Sequence, residues 1–542
     1  MSDIILTQEQ INAIEYPHNM VITACPGSGK TTVITEKIRN DINELIEYQG
    51  IIGITFTVKA STELKAKVKK NAFNIKNSFF GTIDHFCLSE IIYPFIKRVY
   101  EGVAPKLECV SIKDIDNSTK VELLHKFHCT DIETLKSNAI SISEYYSTKG
   151  IIFLELIGIL ALHIVSNSTS CMKYLKARYK SVYIDEYQDS SLEQHLLFKI
   201  LATRVGLKGV VVGDINQSIY EWRGSNTEYI LELIKSNQFK HFAVSLNHRC
   251  HNSIINYSNR SLDNTCNIVN CDEIRMYKTC VNGNQYDVSR KASEIITGLI
   301  DNRIVEKLGD IAILVRNNSS LNYFEGHLKH SHTIYKENPL LNRNTFTSKL
   351  FSLIISYRLS EDTLVTDIIS YISNDITLNP VEIKDTKSRL RAIKSSNEDE
   401  WQALTIELVD SIQGHSLSES EIDTFHRASN DKDILNQYSI NNDSIQIMTL
   451  HKSKGLEFKV VFLLDLYDWI FPKREFVSGV YEPIFDNYPQ DLNLHYVGIT
   501  RAEEYCILMT STQRYNGAGE LKQARPSQFL EIQGLNELRR NF

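Results

Sequence analysis

The sequence lacks the features that mark membrane-inserted and exported proteins. Its most apolar stretch, residues 151–162, is too short to cross a bilayer and contains Glu155. The N-terminal segment MSDIILTQEQ has neither the basic start nor the apolar centre of a signal peptide. These absences predict a cytoplasmic protein with no membrane partner.

Paired cysteines, short repeats and low-complexity segments are also missing. The ten cysteines include no CxxC pair, which argues against a disulfide framework and against a common zinc finger. One group contains several residues of metal-binding type: Cys250, His251, Cys266, Cys271 and Cys280. We interpret these cysteines as reduced structural thiols, with a zinc site as the alternative.

The chain has no excess of positive charge, because its formal net charge is −7. A uniformly basic nucleic-acid-binding surface is therefore excluded, whereas a local basic groove is not. One run of lysines is a candidate for such a groove: Lys59, Lys65, Lys67, Lys69 and Lys70. A solvated helix face is the alternative interpretation of this run.

What the sequence does contain is an alternation of short apolar runs with helical segments. A chain of 542 residues is too long for one core, and continuous apolar runs are typical of buried parallel strands. The predicted strands are 20–24, 51–56, 182–185, 210–213 and 242–246, then 311–315, 445–449, 460–464 and 505–509. Mainly helical segments, 91–175 and 345–439, interrupt the two sets. The pattern predicts two α/β domains in series.

A glycine-rich loop lies between the first predicted strand and a predicted helix. It consists of Ala24, Cys25, Pro26, Gly27, Ser28, Gly29, Lys30 and Thr31, with Ala24 where the generic pattern has glycine. In this setting glycines let backbone N–H groups approach phosphates, and the helix N-terminus adds partial positive charge. Lys30 is predicted to reach the β- and γ-phosphates of ATP, and Thr31 to offer its hydroxyl to Mg²⁺.

Two adjacent carboxylates, Asp185 and Glu186, follow another predicted strand. The carboxyl ends of strands are where open α/β sheets bind ligands. Asp185 suits Mg²⁺ because this hard cation prefers carboxylate oxygen. Glu186 is placed to orient the attacking water. Together with the glycine-rich loop, the pair predicts a Mg²⁺-dependent nucleotide hydrolase.

Further motifs resemble those of the UvrD/Rep/PcrA family of superfamily-one DNA helicases, in the family's order and over most of the chain. They are LTQEQ at 6–10, ITFTVKA at 54–60, GDINQSIYEWRG at 213–224, LNHR at 246–249, TLHKSKGLEF at 449–458 and YVGITRA at 496–502. The resemblance implies that ATP hydrolysis with Mg²⁺ drives 3′–5′ movement along single-stranded DNA or at DNA junctions.

The resemblance also implies roles for individual residues. Nucleotide contacts fall on Gln10, Thr32, His248 and Glu457. Contacts with the γ-phosphate fall on Gln217, Arg249 and Arg501, and arginines in such positions contribute about 10³–10⁵ in rate. Contacts with DNA fall on Phe56, Thr57, Tyr220, Trp222, Arg223 and His451. Aromatic rings suit this role because they stack on bases of any sequence.

The implied fold is two RecA-like parallel-sheet domains, each with a mainly helical insertion. Domain 1A spans 1–90 and 171–245 with insertion 1B at 91–170, and domain 2A spans 246–344 and 440–542 with a reduced insertion 2B at 345–439. Arg249 and Arg501 are then expected to come from domain 2A and to face the phosphate loop of domain 1A. Closure of the two domains around ATP would complete the site.

A few positions depart from the family pattern. Thr32 stands where the family often has Arg, and His248 stands where it has an adenine-stacking Tyr. Asp84 replaces the His of the family's GTFH segment. The charged residues that usually precede YVGITRA are replaced by Asn493 and His495.

Two functions remain open from the sequence. The first is a 3′–5′ DNA helicase that acts alone in repair or replication. The second is an ATP- and DNA-sensing subunit of a larger complex, because the short 2B insertion and the ACPGSGKT loop resemble the helicase-like subunit of Gabija anti-phage systems, which has a nuclease partner. A structural protein without catalysis is disfavoured, since Lys30, Asp185, Glu186, Arg249 and Arg501 are all present.

Overall fold

Two large parallel β-sheets, one in each half of the chain, confirm the α/β class predicted from the apolar runs. The computed structural model describes residues 6–112, 115, 132–221, 224–324, 326–343, 345–360, 363–376, 378–413, 416–438, 443–476 and 482–542. These residues divide into two compact units, Met1–Arg249 and Cys250–Phe542.

The described residues of the first unit form eight strands. They are β1 (Met20–Ala24), β2 (Gly50–Ile54), β3 (Phe79–Gly81), β4 (Glu108–Val110), β5 (Ile151–Phe153), β6 (Tyr179–Ile184), β7 (Lys208–Gly213) and β8 (Lys240–Val244). Six of them form one sheet in the order β3-β2-β6-β7-β1-β8, with every neighbouring pair parallel. The strands β4 and β5 form a separate parallel pair. The carboxyl ends of β6, β7 and β1 therefore lie side by side.

The central strands β1 and β7 are mainly apolar because both faces of the sheet are covered. Val21 packs into one hydrophobic cluster and the neighbouring Ile22 packs into another. Val211 and Val212 divide between the same two clusters. Side chains of a strand alternate between faces, so two covered faces require an unbroken apolar run.

Helices cover both faces of this sheet. They span Gln8–Glu15, Lys30–Asn43, Val58–Lys69, Ile83–Phe86, Tyr93–Phe95, Ile132–Thr148, Ile157–Asn167, Thr169–Arg178, Leu192–Lys199 and Glu228–Lys235. The first helix begins with a capping box, in which Thr7 accepts from the Gln10 backbone and the Gln10 side chain accepts from the Thr7 backbone. Ser191 and Gln194 start the helix Leu192–Lys199 in the same way.

The second unit contains eleven further strands among its described residues. They are β9 (Met276–Val281), β10 (Ile311–Val315), β11 (His332–Ile334), β12 (Ile445–Thr449), β13 (Phe458–Leu463), β14 (Arg474–Glu475), β15 (Ile484–Phe485), β16 (Ala502–Ser511), β17 (Gln513–Tyr515), β18 (Leu521–Gln523) and β19 (Arg540–Asn541). Seven form a parallel sheet in the order β11-β12-β10-β13-β16-β9-β19. The other four form two antiparallel hairpins, β14–β15 and β17–β18.

The helices of the second unit fall into two groups. Three accompany the sheet, at Asn252–Leu262, Gln285–Asp301 and Tyr488–Ile499. The others lie between β11 and β12, at Pro339–Arg343, Phe346–Leu359, Val365–Asp375, Pro380–Ser395, Trp401–Gln413, Glu419–Asn430 and Lys432–Asn436. This second group has its own hydrophobic core, in which the Phe351 and Phe425 rings stack with centroids 4.4 Å apart. These helices lie in the segment 345–439 that was predicted to be mainly helical, while the boundaries of the four predicted domains stay predictions.

The structure differs from the sequence prediction mainly in short elements. The strands β3, β9, β11 and β19 were not predicted, because three of them have three residues or fewer and the fourth mixes polar with apolar residues. The pair β4–β5 lies within the segment predicted to be mainly helical. Runs of three residues are too short for hydrophobic periodicity to distinguish.

Among the residues that the structure describes, no single helix is both long and apolar enough to cross a membrane. One pair, Leu154–Asn167 and Thr169–Arg178, passes that test jointly by length and composition alone, and its two parts are bent by 96°. Leu160 and Ile164 of this pair are buried in the first unit's core.

Candidate active site

The glycine-rich loop follows β1 as a tight turn. The Ser28 backbone N–H donates to the Cys25 carbonyl at 3.2 Å, and the Ser28 hydroxyl donates to the same oxygen at 2.7 Å. Gly27 and Gly29 have φ angles of 69° and 78°, in the left-handed region that favours glycine. The turn leads directly into the helix Lys30–Asn43, whose N-terminal N–H groups form a site suited to phosphate.

The segment after β8 packs directly on this turn. The His248 backbone N–H donates to the Gly27 carbonyl at 3.0 Å. A Cβ atom on Gly27 would lie 2.4 Å from Arg249 Cβ and 2.5 Å from Asn247 Oδ1. Glycine is therefore required at this position by its neighbours as well as by its φ angle. The compact division of the chain falls just after Arg249, which places this residue in the first unit. The predicted domain boundary before it stays a prediction.

Lys30 lies between the loop backbone and a buried carboxylate. Its ammonium donates to the Ala24 carbonyl at 3.3 Å and lies 3.8 Å from Asp214 Oδ2. Burial raises the pKa of Asp214, while the charge of Lys30 and a hydrogen bond from Gln217 lower it. Asp214 begins the segment after β7, and no role was predicted for it from the sequence. Its position at the end of a strand, like that of Asp185, was the available signal.

Asp185 and Glu186 stand at the carboxyl end of β6. The Asp185 backbone N–H donates to the Ile54 carbonyl at 3.0 Å, and the Asp185 carboxylate accepts from the Glu186 backbone N–H at 2.9 Å. Burial, followed by the negative charge of Glu186, raises the pKa of Asp185, against the opposing effect of Lys30. Two adjacent carboxylates repel each other unless a cation lies between them, and carboxylate oxygens are ligands that Mg²⁺ prefers.

Glu186 has an unusual backbone conformation. Its φ of 54° is left-handed, which costs on the order of 1–2 kcal/mol for a residue with a side chain. Strain of this kind persists only where neighbouring contacts hold the residue in place. One such contact is the Gln188 amide, whose Nε2 donates to Glu186 Oε2 at 2.6 Å.

Two glutamine side chains contact Asp214, and one of them also contacts Glu186. Gln217, predicted to sense the γ-phosphate, donates through Nε2 to Asp214 Oδ2 at 2.7 Å. Gln188, for which no role was predicted from the sequence, accepts from the Asp214 backbone N–H at 2.9 Å through Oε1. Lys30, Asp214, Gln217, Gln188 and Glu186 thus form one connected network.

Gln10, predicted to bind adenine, is buried beside the phosphate loop. Its Nε2 donates to the Ser28 carbonyl at 2.9 Å, and its Oε1 accepts from the Thr7 backbone N–H at 2.8 Å. The Gln10 amide therefore joins the first helix to the loop. Its contact with adenine stays a prediction.

Two residues predicted to bind DNA lie together in the first unit. The rings of Phe56 and Tyr220 stack, with centroids 5.3 Å apart and planes 17° apart. Thr57 is exposed and caps the next helix by accepting from the Ala60 backbone N–H. Trp222 and Arg223 lie outside the described residues.

The lysine run lies on the helix Val58–Lys69 and the turn after it. Lys65, Lys67, Lys69 and Lys70 are exposed, whereas Leu64 and Val68 are buried in the core. The Lys59 side chain lies outside the described residues. The positive charge of Lys67 partly offsets the rise in the pKa of Asp185. Exposed lysines of this kind are common to a basic groove and to a solvated helix face.

Three predicted residues belong to the second unit. Arg501 is only 1% exposed, and its guanidinium donates to the carbonyls of Val497 and Leu456 at 3.0 and 3.1 Å. Glu457 is exposed and His451 is half-buried. Their contacts with nucleotide and DNA stay predictions.

The cysteine group forms no metal site in the part of the chain that the structure describes. No three His, Cys, Asp or Glu side chains gather there as a metal ion would need. The Cys250 thiol donates to the Thr500 carbonyl at 3.7 Å, and the Cys271 thiol donates to the Glu273 carbonyl at 2.9 Å. The zinc alternative has no support from this geometry.

Two domains of known helicases match the chain. Residues 6–149 and 141–238 match the UvrD/REP helicase N-terminal domain, and residues 370–513 match the UvrD-like helicase C-terminal domain. The chain belongs to the UvrD/Rep helicase family. Its members are DNA helicases, and the resemblance predicted from the motifs is confirmed.

Individual UvrD/Rep relatives align with nearly the whole chain. Gabija protein GajB of Bacillus cereus (strain VD045) is 28% identical, over 94% of this chain and 96% of that protein. The ATP-dependent DNA helicase Rep of Buchnera aphidicola subsp. Acyrthosiphon pisum (strain APS) is 24% identical, over 97% of each chain. The ATP-dependent DNA helicase PcrA of Staphylococcus aureus (strain Mu50 / ATCC 700699) is 23% identical, over 96% of this chain and 85% of that protein. The resemblance to the Gabija subunit is likewise confirmed.

Proposed function

We propose that this UvrD/Rep family member is an ATP-dependent single-stranded DNA translocase and a 3′–5′ helicase. One observation carries the proposal. The network from Lys30 to Glu186 includes Asp214, and the segment that begins at Asp214 reaches Tyr220, which stacks on Phe56. A phosphate loop and a pair of aromatic rings suited to nucleic acid are therefore connected through a few residues of one unit.

In the proposed reaction Lys30 exchanges its contact with Asp214 for the phosphate oxygens of ATP. Glu186, oriented by Gln188, accepts the proton of the water that attacks the γ-phosphate. Thr31 and Asp185 are the residues that would hold Mg²⁺, and their hydroxyl and carboxylate oxygens suit that ion. When bound, Mg²⁺ neutralises negative charge on the phosphates.

Other assignments rest on the family resemblance. They are nucleotide contacts by Gln10, Thr32, His248 and Glu457, γ-phosphate contacts by Gln217, Arg249 and Arg501, and DNA contacts by Thr57, Trp222, Arg223 and His451. The division into domains 1A, 1B, 2A and a reduced 2B is proposed on the same ground, as is the 3′–5′ direction.

Turnover and unwinding by the purified chain test the proposal. We expect single-stranded DNA to stimulate ATP hydrolysis, and a duplex with a 3′ single-stranded tail to be unwound while one with a 5′ tail is not. Lys30→Ala should abolish both activities. ATP hydrolysis that does not respond to DNA would refute the translocase, and unwinding only from a 5′ tail would refute the direction.

The similarity to GajB over nearly its full length favours a second candidate. In this alternative the chain is an ATP- and DNA-sensing subunit of a defence complex with a nuclease partner, and it unwinds little by itself. DNA-stimulated hydrolysis without unwinding, together with a nuclease that co-purifies from the native host, would favour this candidate over the first.

A further inference from the structure

Gln188 joins two segments that the sequence separates. Its side chain is fully buried, and the two ends of its amide point to different partners. Nε2 donates to Glu186 Oε2 at 2.6 Å, while Oε1 accepts from the Asp214 backbone N–H at 2.9 Å. A single planar amide therefore sets the distance between the carboxylate that would activate water and the start of the segment 214–220.

The segment 214–220 makes a second contact with Gln188. The Ser218 hydroxyl donates to the Gln188 carbonyl at 3.3 Å. The Asp214 carboxylate, in turn, accepts from the Asn216 backbone N–H and from Gln217 Nε2. A movement of the segment 214–220 must therefore move Gln188 or break buried hydrogen bonds, which is costly.

Gly213, directly before Asp214, leaves room for the Gln188 amide to contact the Asp214 backbone. A Cβ atom on Gly213 would lie 2.7 Å from Gln188 Oε1 and 3.3 Å from the Gln188 backbone nitrogen. The φ angle of Gly213 is not in the left-handed region, so its backbone would accept alanine. Ile230 Cδ1 would lie 3.0 Å away, so glycine leaves space at this position for Ile230 and, with the closest contact, for the Gln188 amide.

Glu186, which accepts from the Nε2 end of the Gln188 amide, has a strained backbone. Glu186 has a φ of 54°, so its carboxylate position depends on contacts more than on backbone preference. The segment on the other side ends at Tyr220, whose ring stacks on Phe56. A strand that displaces Tyr220 would therefore act on Glu186 through Gln188.

We propose that Gln188 is a positioning residue that couples DNA contact at Tyr220 to the orientation of Glu186 for hydrolysis. The inference rests on the proposed function, because it assumes that DNA stimulates ATP turnover. Gln188 is fully buried and acts through the hydrogen bonds at both ends of its amide.

The variant Gln188→Met tests the coupling, because methionine preserves volume and removes both hydrogen bonds. The measured quantity is the ratio of kcat with saturating single-stranded DNA to kcat without DNA. We expect this ratio to fall to within about twofold of one, while KM for ATP and Kd for DNA each change less than about threefold. Gln238→Met, in an exposed turn before β8, is the matched control and should keep the wild-type ratio.

The variant Gly213→Ala disturbs the contact between Gln188 and Asp214 by a change next to Asp214. Its Cβ should push the Gln188 amide away and lower the stimulation ratio without altering Gln188 itself. In a double-mutant cycle the two substitutions should be non-additive, since each removes the same bridge. Gly213→Ala also tests the inference if Gln188→Met fails to fold.

The outcomes separate the inference from the proposed function. If wild-type turnover does not respond to DNA, the proposed function fails. If the wild type responds and the variants lose turnover with and without DNA in equal proportion, Gln188 only supports Glu186 and the coupling is refuted. Additive effects of the two substitutions, or an unchanged ratio, would refute it as well.

Discussion

Phe56 and Tyr220 stack on each other with their ring planes 17° apart, although one follows β2 and the other follows β7. The two strands are not neighbours in the sheet, since β6 lies between them. The stacked pair therefore spans the carboxyl edge of the sheet on which Asp185 and Glu186 stand.

Removal of either ring should weaken DNA binding. Phe56→Ala and Tyr220→Ala are each expected to raise Kd for single-stranded DNA about tenfold, because base stacking contributes about 1–3 kcal/mol per base. Fluorescence anisotropy with a labelled oligonucleotide measures the change. Tyr220→Phe should bind like the wild type, and Tyr145→Ala, which removes another exposed ring of the first unit, should have no effect. Equal affinity in all four variants would rule out stacking by this pair.

Loss of the Lys30 charge should stop hydrolysis. In Lys30→Ala we expect kcat for ATP to fall at least about 100-fold, because the lysine neutralises charge that develops on the phosphates. Steady-state ATPase assays measure this effect, and circular dichroism checks the fold. The control Lys199→Ala removes a lysine paired with Glu232 at the surface and should keep full turnover. Wild-type turnover in Lys30→Ala would contradict the site.

Replacing the Glu186 carboxylate by an amide should leave ATP binding intact and slow ATP hydrolysis. Glu186→Gln is expected to bind ATP but to lower kcat about 100-fold or more, because it removes the general base and leaves the phosphate loop intact. Nucleotide binding and single-turnover hydrolysis are measured on the same preparation. Glu228→Gln, at an exposed helix start, serves as the matched control. Equal losses of binding and of turnover in Glu186→Gln would argue for a structural role.

A methyl group at Gly27 should disturb the phosphate loop. Gly27→Ala must accommodate a φ of 69° and a Cβ only 2.4 Å from Arg249 Cβ, so we expect KM for ATP to rise about tenfold. Gly298→Ala is the control, because nothing lies within 4 Å of its added Cβ and its helix position favours alanine. An unchanged KM in Gly27→Ala would show that the loop adapts.

His495 should make the second unit sensitive to acid. The ring is buried between Phe471 and Phe529, and neither nitrogen has a hydrogen-bond partner among the described residues. Burial, reinforced by the charge of Arg539, lowers the pKa of His495 to about 3. Below pH 6.5 the unfolded chain takes up a proton that the folded chain does not. Stability should therefore fall by up to about 1.4 kcal/mol per pH unit between pH 6.5 and 3.

The variant His495→Leu tests this effect. Leucine cannot take up a proton, so the drop in Tm between pH 7 and pH 5 should be smaller than in the wild type. Differential scanning calorimetry at the two pH values measures the difference. His18→Leu changes an exposed histidine and should reproduce the wild-type drop. Parallel drops in His495→Leu and the wild type would mean that the ring is protonated in the folded state.

The parts of the fold that the sequence predicted are those with a local signal. The strands β1, β10 and β12 have the predicted bounds because each is a mainly apolar and mainly buried run. Short edge strands such as β3 and β19 have no such run. They form because a neighbouring strand pairs with them, and their own sequence does not indicate this pairing. The phosphate loop was predictable for the same reason, because its glycines, Lys30 and Thr31 are contiguous.

The side-chain network of the site had no comparable signal. The contacts of Asp214 with Lys30 and Gln188 join residues that are far apart in the chain, and no spacing rule predicts them. The same holds for Arg501, for which the family resemblance implied a phosphate contact, while its guanidinium donates to carbonyls of the second unit.

By itself the sequence determined the family, the α/β class and the residues from Ala24 to Thr31 and at Asp185 and Glu186, because these depend on contiguous patterns of apolar, glycine and acidic residues. Only the tertiary structure decided that Asp214 pairs with Lys30, that Gln188 bridges Glu186 and Asp214, and that Phe56 stacks on Tyr220. The physical reason is that a parallel sheet aligns the carboxyl ends of strands from distant parts of the chain, and contacts among those ends depend on the strand order.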